Sequence, residues 1–402
     1  MTLVPTLLRR VVVCWLVMLI VLVSCSLPVL GADGSADLPP GHPGSPLRTS
    51  VEHRTDYPLA WHNLRPTWFM NVPDVRYTVR NPTAEPVWVR LVSEYPGYSA
   101  PTVSVSEIGA GSPATFDHFV VLDREEIQEI RAPARVAVHY RIEYWDGGNW
   151  TVHDEQTDPV TFYPMDQMVW ATEDKDGVIT IYHGLIAIFV TPQSPGVAAL
   201  AAKAKERATG EFDRRYVDYG MERTLPGYAL PNQRTTYADT KNRTALQVKA
   251  IYNALKYDYN LSYVDALVAF GMGDSQRVST PDESLATGSA NCIDGAVLFA
   301  SAIERLGMQP YIVVVPGHAY VAWKTDKAGT EVDALETTWV SSCDFEKAYD
   351  AGTKRYEEDA KSGRMELYQS LFDRRLSRNE YDSIYVLVEI RWLRSQGILP
   401  MK

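Results

Sequence analysis

The chain has 402 residues, 46 % hydrophobic and 22 % charged, with 10 Trp, 23 Tyr and a formal net charge of −11. That length carries two domains with sizeable cores, and the composition is that of a globular protein rather than a disordered or fibrous one. No Lys/Arg block follows the two N-terminal arginines, so the basic face that nucleic-acid binding needs is missing and no nucleic-acid partner is expected.

Residues 1–31 read as an export signal. Arg9 and Arg10 form a positive start, and Val11 to Val23 is an unbroken apolar run of 13 residues. A spanning helix wants about 20 residues, whereas a signal core is this short. Leu22-Val23-Ser24-Cys25 resembles a bacterial lipoprotein signal, in which Cys25 is acylated and becomes the mature N-terminus. Ordinary cleavage near Gly31 and an uncleaved anchor are the alternatives. The expected location is the bacterial cell envelope, with the membrane as a partner through the N-terminal lipid or anchor. Two of the four cysteines then remain in the mature chain, Cys292 and Cys343.

Residues 32–55 are rich in Pro, Gly and Ser and read as a flexible tether. Between 56 and 165 the hydrophobic period becomes two. Val87, Val89 and Leu91 alternate with Trp88, Arg90 and Val92, and Val136 to Tyr144 alternate likewise. Asp146-Gly147-Gly148-Asn149 breaks that second run as a hairpin turn before Trp150. Short alternating strands at close spacing predict an antiparallel β-sandwich of immunoglobulin-like size. His118, His139 and His153 stand apart in it, which suggests structural roles and no metal.

Residues 166–243 read as a connector holding an apolar run, Leu185 to Val190, and a helix opened by Ser194-Pro195. Residues 244–402 read as the second domain. Its first helix runs over Thr244 to Tyr257, and the segment from Phe345 to Arg378 is charged with helical character.

The chemistry concentrates between Gln276 and Thr338. Thr287 to Asn291 is turn-like, and Ile293 to Leu306 is apolar at helical spacing until Gly307. Cys292 therefore sits in the first turn of a buried helix, with Ser289 or Asn291 as cap. The unpaired N–H groups and dipole there favour thiolate, so the thiol is expected to ionise below the free value of about 8.5. Asp294 in the same turn reads as a cap. Tyr311 to Val315 forms a strand, Pro316-Gly317 turns, and His318 opens a second strand on whose face Tyr320 and Ala322 also lie. Glu331 to Thr338 supplies the next strand, where Asp333 or Glu336 can orient the imidazole. These are a nucleophile, a base and an acid in chain order. A Cys292–Cys343 disulfide is the structural alternative.

The segments G-S-A-N-C-I-D-G-A-V-L-F-A-S-A-I-E-R-L-G, P-G-H-A-Y-V-A-W and A-L-E-T-T resemble the core of the bacterial transglutaminase-like superfamily, over about residues 246–340. The resemblance implies an α+β chain whose second domain is papain-like: a helix bearing the Cys, packed on an antiparallel sheet bearing the His and the acid. It matches Cys292 to the nucleophile, His318 to the base and Glu336 to the acid, where the family usually has Asp. Asp333 is the alternative acid. Gln276, in a segment resembling one upstream of the family's Cys, is a candidate oxyanion donor. The implied reaction is cleavage of protein or peptide amides through a thioester, with no metal or cofactor. Amine incorporation by a transglutaminase and a non-catalytic envelope scaffold are the alternatives.

Overall fold

The computed structural model describes residues 44–64, 72–173, 176–210, 214–221, 223–229, 237–265, 275–328, 330–372 and 374–401. The expected signal segment, Cys25 and half of the expected tether lie outside them. The chain is mixed α+β with several antiparallel sheets.

The first part carries β1 (Arg48–His53), β2 (Asp56–Pro58), β3 (Val75–Arg80), β4 (Val87–Glu94), β5 (Thr102–Ile108), β6 (Pro113–His118), the short helix α1 (Arg124–Gln128), β7 (Ala134–Trp145) and β8 (Trp150–Tyr163). They make a three-stranded sheet, β1-β3-β6, and a five-stranded one, β2-β8-β7-β4-β5. Pairing is antiparallel except between β2 and β8. Val75, Tyr77 and Val79 from one sheet and Leu91, Tyr140, Ile142 and Phe162 from the other bury together in one core. Period-two alternation produces this by putting successive side chains on opposite faces.

β1 corrects the expected tether. Leu47 is buried and Val51 packs on the same core, so residues 48–53 are a strand whose alternation is masked by the polar residues between. The three histidines are satisfied inside the fold. His118 bonds to Ser93 and Ser104, His153 to Thr49 and Ser45, and His139 to Glu94 and Glu155.

The expected connector is instead part of the second core. It holds β9 (Gln167–Val169), β10 (Ala171–Glu173), β11 (Ile179–Ile181), a buried 3-10 turn at His183–Ile188, α2 (Pro195–Gly210) and α3 (Arg214–Asp218). Trp170, Leu185, Phe189, Val197 and Leu200 bury in the same cluster as Cys292 and its helix. α4 (Tyr237–Tyr257) starts seven residues before the expected Thr244. The polar residues Asp239, Thr240 and Lys241 at its start hide a helix that its later apolar stripe announces.

Then follow β12 (Ser262–Tyr263), β13 (Ser275–Arg277), α5 (Pro281–Thr287), β14 (Ser289–Ala290), α6 (Cys292–Arg305), β15 (Pro310–Val315), β16 (His318–Lys324) and β17 (Val332–Leu335). α7 (Phe345–Lys361), β18 (Met365–Leu367), α8 (Tyr368–Leu371), α9 (Arg378–Ser383), β19 (Tyr385–Glu389) and α10 (Ile390–Ser395) complete the chain. The sheet order is β17-β16-β15-β19-β18, antiparallel except for β18 with β19. α6 packs on the face that carries Ile312, Val314, Ala319, Val321 and Trp323. The opposite face carries Tyr311, Val313, Tyr320, Ala322 and Ala334. α7 lies against the edge strand β17. Among the described residues, no helix is long and apolar enough to cross a membrane.

Candidate active site

α6 begins where its sequence says it must. The Asn291 side chain accepts from the Asp294 N–H at 2.9 Å, and Asp294 accepts from the Asn291 N–H at 3.3 Å, a reciprocal capping box. The other Asp294 oxygen accepts from the Ser279 N–H at 2.8 Å, tying the segment before α5 to the first turn of α6. Asp294 is thus a cap, as its position predicts. α5 is capped the same way by Thr280 and Glu283, with Pro281 at its first position.

Cys292 is 1 % exposed. Backbone N–H groups of Ile293, at the helix start, and of Ala319, next to His318 on β16, lie near its sulfur and favour its thiolate. Burial nevertheless dominates and, with the Asp294 and Glu336 carboxylates nearby, pushes the thiol up to about 11. This reverses the expected low value. The two N–H donors and the helix end favour thiolate, but removal from water costs the anion more. At neutral pH Cys292 rests as a thiol, so acting as a nucleophile would require a base to take its proton. Unfolded, the thiol ionises near 8.5; between there and 11 only the unfolded chain loses this proton, so this group lowers stability as pH rises through that window.

His318 and Glu336 meet. His318 Nε2 lies 2.9 Å from Glu336 Oε2. The second oxygen, Oε1, accepts from the Thr338 hydroxyl at 2.7 Å and from the Thr338 N–H at 3.3 Å. Burial alone would raise this carboxyl, but the bonds from His318 and Thr338 outweigh it and hold Glu336 below the usual carboxylate range. An ionised carboxylate only accepts, so Nε2 carries the proton and Nδ1 is left as the basic nitrogen. Tyr320, on the face expected, stacks on the imidazole with ring centroids 6.1 Å apart and planes 25° from parallel.

Asp333 is elsewhere. It pairs with Trp323, five residues along β16 from His318, which is about 16 Å at roughly 3.3 Å per strand residue. Its carboxylate accepts from the Tyr349 hydroxyl at 2.7 Å and sits 3.2 Å from Lys241. Its role is to join α4, β17 and α7. Asp333→Asn is therefore expected to lower stability by about 1–3 kcal/mol while Cys292 alkylation stays within about twofold of wild type. A thermal melt and a labelling rate on one sample check both halves.

Gln276 is buried on β13 opposite Met168, and both its amide atoms lack hydrogen-bond partners among the described residues. An unpaired buried amide costs about 1–3 kcal/mol, so it does not act as a loop-stabilising group. Cys292 and Cys343 are both free, and no disulfide joins them.

Sequence reasoning missed four contributors on α7. The Glu336 N–H donates to the Ala348 carbonyl at 3.1 Å, and the Thr353 hydroxyl donates to the Ala334 carbonyl at 3.2 Å. Gly352 lets the helix approach this closely: a Cβ there would lie 2.5 Å from the Glu336 nitrogen. Arg355 places a guanidinium nitrogen 3.7 Å from Glu336 Oε2. A glycine inside a strongly charged helix was the available signal. Tyr263, paired beside Ala290, also lies within electrostatic reach of Cys292 and Glu336.

Among the described residues, no group of three or more His, Cys, Asp or Glu is placed to hold a metal. No model of a known protein family matches the sequence, and no curated protein matches it significantly.

Proposed function

We propose that the chain is an exported cysteine-dependent hydrolase of protein or peptide amide bonds, with a papain-like, transglutaminase-like catalytic domain. The observation that carries this reading is the His318–Glu336 pair at 2.9 Å, with the backbone N–H of the residue after His318, Ala319, beside the Cys292 sulfur. A structural cysteine and a structural histidine need no such third partner; an acid orienting a base beside a thiol is what nucleophilic catalysis needs.

In this mechanism His318 Nδ1 takes the thiol proton as sulfur attacks the amide carbon, and Glu336 stabilises the resulting imidazolium. The oxyanion is held by N–H groups at the start of α6, with the unpaired Gln276 amide as a further donor. The imidazolium returns the proton to the leaving amine, and a thioester remains on Cys292. Water, deprotonated by His318, then releases the acid and restores the thiol. The first part of the chain, read as an immunoglobulin-like β-sandwich, would dock substrate or space the domain from a membrane to which Cys25 anchors it.

Acid-quenched mass spectrometry after incubation with unfolded polypeptide substrates tests the reading. An acyl adduct on the Cys292 peptide, absent in Cys292→Ser, is expected together with new amino termini. Amine incorporated without new termini would mark a crosslinking enzyme. No adduct with any substrate would favour a binding scaffold.

A further inference from the structure

Two basic side chains approach the same Glu336 oxygen, Oε2, among the described residues: His318 at 2.9 Å and Arg355 at 3.7 Å. Arg355 is fixed from two other directions. Its guanidinium carbon lies 5.6 Å from the centroid of Tyr320, the ring that stacks on His318. Its Nε lies 3.8 Å from Asp359 Oδ2, the atom to which the Tyr320 hydroxyl donates at 2.8 Å. His318, Glu336, Arg355, Asp359 and Tyr320 therefore form a closed circuit of contacts joining β16, the end of β17 and α7.

We infer that Arg355 is a positioning residue of the base–acid pair: it holds Glu336 ionised and aimed at His318, and its positive charge opposes a second one on the imidazole. This rests on the reading of His318 as the base. Glu336 and Tyr320 touch the imidazole; the other charged and titratable groups around the pair are Arg355 and Asp359 on α7, Cys292 and Asp294 on α6, and Tyr263 on β12. Asp294 is occupied by the Asn291 and Ser279 N–H groups. The carboxylates favour imidazolium, and Arg355 opposes it.

The test is the pH dependence of Cys292 alkylation by iodoacetamide, followed by mass spectrometry, in wild type, Arg355→Gln, Arg355→Lys and His318→Ala. The Arg355 side chain is 41 % exposed, so both replacements leave the core untouched. The acid limb of the wild-type profile is expected to move up by about half a pH unit in Arg355→Gln, an effect limited by solvent screening, and to return most of the way in Arg355→Lys. At a pH below the limb that is about a threefold slower reaction. An unmoved midpoint, or an equal loss of rate at every pH in both variants, overturns the assignment to Arg355 while leaving the base in place. A wild-type profile without an acid limb, matched by His318→Ala, overturns the base reading and this inference with it.

Discussion

Replacing His318 with alanine is expected to lower amide hydrolysis by about a thousandfold, within the range of roughly 10²–10⁴ that a positioned general base contributes. The size follows from the state of the nucleophile. With the thiol pushed to about 11 by burial, only about one molecule in ten thousand carries a thiolate at pH 7, and proton transfer to His318 is the route around that scarcity. Steady-state kcat/KM on a peptide amide measures the loss. Cys292→Ser combined with His318→Ala is expected to be no worse than the more damaging single change, because nucleophile and base act as a unit. Equal activity in wild type and His318→Ala would show that the imidazole is structural.

Gly352→Ala is expected to cost catalysis far more than stability. The added Cβ would stand 2.5 Å from the Glu336 nitrogen and 2.6 Å from the carbonyl carbon of Leu335, so either α7 or the end of β17 must retreat. Overpacking of this kind costs about 1–3 kcal/mol. Removing a helix-interior glycine returns about 1 kcal/mol, leaving a small net destabilisation. The displaced group, however, is the backbone of the acid itself. A misplacement of about 1 Å in a catalytic group costs about a hundredfold, so kcat/KM is expected to fall ten- to a hundredfold while the melting temperature drops by only a few degrees. A thermal melt beside the kinetics separates this from unfolding; loss of both in proportion would mean that α7 contributes stability alone.

What was legible in the chain is what rests on short-range rules. Asn291 as cap and Asp294 in the same turn place the start of α6, and hence Cys292 at a helix start. The hairpin at Asp146–Asn149 and the strand opened by His318 follow from period two and turn residues alone. Glu336 against Asp333 needed one thing more, the register of β17. Asp333 lies opposite Trp323 on the face toward α6, whereas Ala334 lies opposite Ala322 on the face of Tyr320, and Glu336 is the next residue of that parity.

The rest depends on tertiary packing. Nothing local in Leu185–Val190 says that it is buried in one core with α6 rather than strung between domains. Val51 needs β3 beside it before its strand exists. The helix-end effect on Cys292 was read correctly in sign, but its competitor, complete burial beside two carboxylates, is invisible until the sheet covers α6. Arg355 and Gly352 matter only because α7 turns back onto the edge of β17.

The most direct test of the central claim, that Cys292 is a thiol activated by His318, compares alkylation rates of Cys292 and Cys343 in the native protein from pH 5 to pH 11, in wild type and His318→Ala. The account predicts that His318→Ala behaves as an unassisted buried thiol, its Cys292 rate climbing about tenfold per pH unit toward about 11. Wild type should exceed it by tenfold or more at pH 7, with Cys343 unchanged between the two proteins. Identical Cys292 profiles in both, or no labelling of Cys292 in either before the fold is lost, would contradict it.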